Sequence, residues 1–276
     1  MSSIEKYFIS EEELCRLTAL ARTPREKAEP GLSYKIGLAA SLAEAAISSP
    51  GDLFAYVAYE SMKEARRASS AVPEVVEALV LGYKLGISKG SGMCMNNLGA
   101  MYYMGDMVET DYHAAAELYE AATQIGFVQS AVNLGYIYEY GRLGERDLVK
   151  AHRCYALAAA LAPSSEAVYK LGDMYSRGQA VPQSSKLAFT LYERSLGMAS
   201  GPTEIAQPAI RIAKMLVDPA EVEHGITPDP LRALGLFQQA EIGLRIDIAN
   251  GLHYYARRLE EAIEGQELAR EMLESG

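Results

Sequence analysis

Tryptophan is missing from the 276-residue chain, and phenylalanine is scarce, so 18 of the 23 aromatic residues are tyrosines. Some recurring position therefore asks for an aromatic ring with a hydroxyl. Cysteine is nearly absent too. Cys15, Cys94 and Cys154 are odd in number and far apart, which excludes a disulfide-built secreted scaffold. Positive charge is in deficit, with 26 Lys and Arg against 36 Asp and Glu and a formal net charge of −10. Such a chain lacks the electrostatic footprint of a general binder of nucleic acid or anionic membrane. Apolar runs are short and broken by charge, well below the roughly 20 residues needed to cross a bilayer. The opening stretch, Met1 to Glu13, has no apolar core of a secretory signal, so a cytoplasmic setting is expected.

What the chain does contain is self-similarity. The pattern L-G-x-x-Y-x-x-G occurs at Leu98-Gly99-Tyr102-Gly105, at Leu134-Gly135-Tyr138-Gly141 and at Leu171-Gly172-Tyr175-Gly178. Six residues past each closing glycine stands a helix N-cap former, Asp111, Asp147 or Ser184. From it a second pattern runs: Ala115, Tyr119, Ala122; Ala151, Tyr155, Ala158; Ala188, Tyr192, Ser195. A degraded fourth copy keeps Asp229, Ala233, Phe237 and Ala240, with Ala209, Ile210 and Ala213 in the first half. About seven extra residues lie between its halves, within Asp218 to Pro228. Upstream, Tyr83, Gly86 and Gly90 match the end of the second pattern, so 73–90 reads as half of a preceding copy.

Offsets 0, 1 and 4 share one helical face, and a glycine seven on ends the helix. The Ala, Tyr and small residues at offsets 4, 8 and 11 after the N-cap make the inner stripe of a second helix. One such pair cannot bury its apolar face, so pairs must stack into a solenoid. Two linked motifs in one register resemble the Sel1-like branch of the tetratricopeptide-like helical repeats. The resemblance covers about 91–245. The family's helix-B tryptophan is replaced by Leu118, Cys154, Leu191 and Leu236.

The predicted fold is all-α: a right-handed α–α superhelix of antiparallel helix pairs with helical caps. Copies are placed at about 73–90, 91–126, 127–162, 163–200 and 201–245. Residues 1–72 form an N-terminal cap or a small separate helical domain, with helices from the capping box Ser10-Glu11-Glu12-Glu13 to about Ala21, over 32–47 and over 52–70. Pro73 opens the next helix. Residues 246–263 and 265–274 read as two C-terminal capping helices.

No spacing of His, Cys or carboxylates suits a metal ion, no glycine-rich loop follows a strand, and no base is paired with a nucleophile. The carboxylates of Glu11-Glu12-Glu13 and Glu260-Glu261 read as helix-end or solvated groups. Neither an enzyme nor a cofactor is expected. Function then falls to the surface that repeat packing leaves free. In tetratricopeptide-like solenoids the helix-A positions at −2, +2, +5 and +6 from the motif leucine line the concave groove. Here they are Asn96, Ala100, Tyr103 and Met104; Val132, Tyr136, Glu139 and Tyr140; Tyr169, Asp173, Ser176 and Arg177; and Gln207, Arg211, Lys214 and Met215. Offset −1 adds Asn97, Asn133 and Lys170.

Tyrosine joins apolar area to a hydroxyl and asparagine can pair with an extended backbone, so this set suits a protein or peptide segment. The expected function is a non-catalytic adaptor that holds a partner protein, in signalling or complex assembly. Lys170, Arg177, Arg211 and Lys214 drift basic against an acidic whole, which suggests an acidic stretch of partner. The alternative is a small-ligand or nucleotide sensor with Arg177, Arg211 and Lys214 as an anion clamp.

Overall fold

The computed structural model describes residues 3–23, 30–67 and 73–275, and all its regular elements are helices among the described residues. They form two compact units, Met1–Arg146 and Asp147–Gly276. The first holds a 3-10 turn (Ser3–Tyr7), α1 (Glu11–Ala21), α2 (Pro30–Ser48), α3 (Asp52–Arg67), α4 (Pro73–Ser88), α5 (Gly92–Met104), α6 (Tyr112–Gln124) and α7 (Val128–Glu139). The second holds α8 (Leu148–Leu161), α9 (Ser165–Arg177), α10 (Ser185–Met198), α11 (Pro202–Val217), α12 (Pro230–Ala249) and α13 (Ala256–Ser275), with 3-10 turns at Pro219–His224 and His253–Tyr255.

Sequence fixes the helix starts through side-chain caps. Asp111, Asp147, Ser184 and Asp229 each accept the backbone N–H three residues on, at 2.9, 2.9, 3.3 and 2.9 Å, satisfying a donor the helix itself leaves orphaned. At Ser10 the capping box is reciprocal: its Oγ accepts from Glu13 N–H, and Glu13 Oε2 accepts from Ser10 N–H at 2.9 Å. Gly105 and Gly178 end α5 and α9 in the left-handed region, at φ 65° and 62°. The expected extension of α3 to residue 70 runs into 68–72, which lie outside the described residues.

The second-helix stripe is the core. Ala115, Tyr119 and Ala122, then Ala151, Tyr155 and Ala158, then Ala188, Tyr192 and Ser195, are all buried. The first-helix glycine has a partner role in this. A Cβ on Gly99 would sit 2.9 Å from the Tyr119 ring, and one on Gly172 would sit 2.5 Å from the Tyr192 ring. These two repeats thus lock the ring of one helix over the bare backbone of the other.

Within the first unit α5 packs on α6 and α6 on α7, while α4 packs on α2, α1 and α5. The N-terminal turn lies against α4 and α6, where Tyr7 donates to Glu117 Oε2 at 2.8 Å and Ile9 N–H donates to Ser88 Oγ at 2.9 Å. Within the second unit the pairs run in order, α8 on α9 through α12 on α13. The C-terminal break differs from the expected one. It falls at 250–255 instead of 264, and α12 is one helix to Ala249. Gly265 lies inside α13, because its bare Cα makes room for Phe237: a Cβ there would meet the ring at 2.4 Å.

Candidate functional site

The helix-A offsets separate by burial along the helix. Offset −2 was expected on an open face; Asn96, Val132, Tyr169 and Gln207 are all buried instead. Neighbouring A helices meet there. Asn96 Oδ1 accepts Ser130 Oγ–H at 3.0 Å and the Asn133 amide at 2.9 Å, joining α5 to α7. Its own amide donates to Asn97 Oδ1 at 3.2 Å, and Asn97 donates to the Ala55 carbonyl at 3.3 Å, joining α3. The asparagines therefore spend most of their hydrogen bonds on bracing helices, a common fate of buried amides.

The far ends of α5 and α7 are open. Tyr103 and Tyr136 are half-buried, while Met104 and Tyr140 are exposed. Tyr136 and Tyr140 stack with centroids 5.9 Å apart and planes 4° from parallel. Tyr103 meets Tyr112 edge-on at 5.5 Å. Arg142, on the loop after α7, completes the group, its guanidinium carbon 5.7, 5.2 and 5.8 Å from the Tyr103, Tyr112 and Tyr140 centroids. Tyr112 and Arg142 were not candidates from sequence, since both stand outside the repeat offsets.

In the second unit Tyr169, Lys170 and Asp173 are buried. Lys170 Nζ lies 5.5 Å from the Tyr155 ring centroid. Asp173 is gripped by Arg211: Nη2 donates to Oδ2 at 2.7 Å and Nε to Oδ1. Tyr192 O–H also donates to Oδ1, at 2.8 Å, and Arg211 stacks 4.8 Å from the Tyr169 ring. Burial alone would raise the Asp173 pKa. The Arg211 charge and hydrogen bonds, with Lys170 and Arg177 beyond, outweigh it and hold the carboxyl at about 2.

A pocket of about 430 Å³ opens over this pair, lined by Arg177, Arg211, Lys214, Met215, Tyr192 and Ser176, and by Asp218, Glu221, Arg258 and Glu261. All three residues of the expected anion clamp face it. The basic drift is nevertheless neutralised: Asp173 holds Arg211, Glu261 holds Lys214, and Arg177 stands 3.9 Å from Asp173. Four lining cations face four lining carboxylates. Glu261, expected to be merely solvated, is thus part of the pocket wall, and Arg258 on the same helix donates to Gln207 Oε1. Only the tertiary fold brings α13 to α11, so no local pattern signalled either residue.

No group of His, Cys, Asp and Glu suited to a metal ion occurs among the described residues, and no described helix is long and apolar enough to cross a membrane. Stacked antiparallel helix pairs of this length define an α-helical repeat protein. The Sel1 repeat family matches residues 92–127, 128–163, 165–196 and 222–241. The chain therefore carries four Sel1 repeats. Two solved structures share the fold. A Sel1 repeat protein from Oxalobacter formigenes superposes with a TM-score of 0.56 at 21% identity, over 80% of this chain and 87% of that one. The antigen c5321 of uropathogenic Escherichia coli, which displays an SLR fold, gives 0.54 at 19%, over 99% and 57%. Among curated proteins, the ERAD-associated E3 ubiquitin-protein ligase components HRD3B and HRD3A of Arabidopsis thaliana are similar. HRD3B is 30% identical over 112 residues, 40% of this chain and 18% of its own length. HRD3A is 34% identical over 85 residues, 31% and 12%. The chain thus spans less than a fifth of the length of these relatives.

Proposed function

We propose that this chain is a non-catalytic protein-interaction scaffold of the cytoplasm that takes a segment of a partner protein at the open ends of its A helices. One observation carries the reading: the repeats bury their second-helix tyrosines, Tyr119, Tyr155 and Tyr192, yet another set, Tyr103, Tyr136 and Tyr140, gathers at the accessible ends of α5 and α7. Clustered tyrosines with a rigid framework behind them are typical binding anchors. The Sel1 repeats support this class, and the HRD3 relatives, named as components of a ligase assembly, support a role in complex assembly. Site-specific photo-cross-linking tests it. A photoreactive residue at Met104, exposed at the end of α5, should capture a discrete partner that the same residue at Leu157, exposed on α8, does not, and Tyr136→Ala with Tyr140→Ala should abolish capture from Met104. Equal capture from both positions, or capture indifferent to the double substitution, sinks the reading.

The pocket of the second unit favours a second reading, a small-ligand sensor. Its balanced lining suits a ligand that carries both charges rather than a bare polyanion. A thermal-shift screen separates the two: a zwitterionic metabolite that stabilises the wild type but not Arg177→Ala supports the sensor.

A further inference from the structure

Arg142 is an exposed arginine whose cation is met by tyrosines: no ion pair with a carboxylate holds it among the described residues. Three rings surround it at cation–π distance, and the Tyr103 hydroxyl accepts from its Nε only at 3.5 Å. We infer that the tyrosine cluster formed by Tyr103, Tyr112 and Tyr140 is a recognition site for an arginine or lysine side chain of the partner segment, and that Arg142 is its displaceable internal plug. This rests on the scaffold reading above and names the partner's chemistry.

Three observations converge on a cation. The cluster demonstrably accommodates a guanidinium, since its own fills it. It also lies at the C-terminal ends of α5 and α7, where Tyr103 is in the last turn and Tyr140 is the cap residue, and helix C-termini carry partial negative charge. The chain around it has a net charge of −10, which draws basic segments by long-range attraction. Gly141 (φ 63°) and Gly144 (φ 123°) shape the turn that carries it in backbone conformations that L-residues seldom adopt, and the Arg142 backbone N–H donates to the Ile137 carbonyl, so the plug leaves by rotation of its own side chain. The stacked Tyr136 behind Tyr140 keeps the receiving wall in place when the plug leaves. A ring cluster filled by its own arginine binds an outside cation more weakly than an empty one, because only the unplugged fraction is competent.

The test uses four labelled nine-residue peptides, each with four Arg, Lys, Glu or Gln residues in a Gly-Ser background, with binding read by fluorescence anisotropy. The proteins are the wild type, Arg142→Ala, Tyr140→Ala, the double variant and Arg153→Ala. The last removes one charge from an exposed site on α8 and controls for net charge. Circular dichroism confirms each fold. Arg142→Ala should tighten the Arg and Lys peptides about fivefold, the gain expected when a plug of cation–π strength is removed. Tyr140→Ala should cancel that gain, and Arg153→Ala should not reproduce it. An unchanged or weaker affinity in Arg142→Ala, or an equal gain in Arg153→Ala, overturns the inference. Tyr140-dependent binding of the Glu or Gln peptide instead of the basic ones overturns the cation assignment while leaving the scaffold reading standing. If no peptide depends on Tyr140, the inference fails, and the cross-linking result alone then judges the scaffold.

Discussion

The repeat's glycine and tyrosine make one joint, and a single methyl group tests it. An alanine Cβ at Gly172 would lie 2.5 and 2.7 Å from Cε1 and Cδ1 of Tyr192, against about 3.5–4.0 Å for comfortable carbon contact. The ring would have to retreat by about 1 Å. Tyr192 cannot do so freely, because it is 3% exposed and its hydroxyl donates to Asp173, itself clamped by Arg211. Overpacking of this kind costs about 1–3 kcal/mol. Replacing a mid-helix glycine by alanine returns about 1 kcal/mol of helix propensity. The net expectation for Gly172→Ala is a loss of about 1–2 kcal/mol in urea unfolding followed by circular dichroism. At Gly99 the nearest Tyr119 atoms are 2.9 and 3.1 Å away, so a smaller shift suffices and Gly99→Ala should be nearly neutral. A cycle with Tyr192→Leu isolates the clash: in that background Gly172→Ala should be neutral or stabilising. Gly172→Ala as stable as the wild type, or an equal loss in the leucine background, would refute the joint.

Other expectations follow from buried polar groups. Asp173→Asn leaves Arg211 largely buried without its carboxylate and should cost about 3–5 kcal/mol in urea unfolding. The Asp173 carboxyl is depressed to about 2, so its stabilisation is complete above the unfolded value near 4 and is lost as pH falls from there to about 2. The stability gap between wild type and Asp173→Asn should therefore narrow over that window, and a gap independent of pH would contradict the pairing. Asn96→Ala strips Ser130 and Asn133 of their acceptor and should cost about 1–3 kcal/mol; a loss under about 0.5 kcal/mol would mean the braces carry no net stability. Burial, aided by the Asp52 charge, pushes the Cys94 thiol up to about 11 despite hydrogen bonds with Ser91 and Gly51. At pH 8 only about 0.1% is thiolate, so a disulfide reagent should modify exposed Cys15 at once and Cys94 only on unfolding.

The repeat skeleton was legible because its two motifs recur in fixed register: the caps at Asp111, Asp147, Ser184 and Asp229, and the buried stripe through Tyr119, Tyr155 and Tyr192, stand where spacing places them. Glycine was harder to read. Gly178 ends a helix and Gly265 does not, yet both look like punctuation; what decides is Phe237, which sits 28 residues before Gly265 and packs on it only in the folded chain. The candidate face was legible in part. Periodicity gives the direction of a side chain around its own helix, but not whether the next helix covers it. Tyr140 and Arg177 came out exposed, and Asn96, Tyr169, Lys170 and Asp173 came out buried.

That division has a consequence for where recognition is to be sought. Polar residues along the inner turns of the A helices look like a binding surface in sequence because asparagine, lysine and aspartate are rarely buried without cause. Here the cause is internal: Asn96 and Asn97 together tie three helices, and Asp173 neutralises Arg211 at the floor of a pocket. A group whose hydrogen bonds are already made has little to offer a partner, since exchanging them gains almost nothing. The C-terminal ends are different. Tyr103, Tyr140 and Arg142 meet through ring faces and one long hydrogen bond, contacts that a partner's side chain can replace at small cost. Offset +6, open in Met104, Tyr140 and Arg177 but buried in Met215, therefore marks on α5, α7 and α9 the stretch where substitutions should change binding more than stability, whereas at offset −2 they should change stability first.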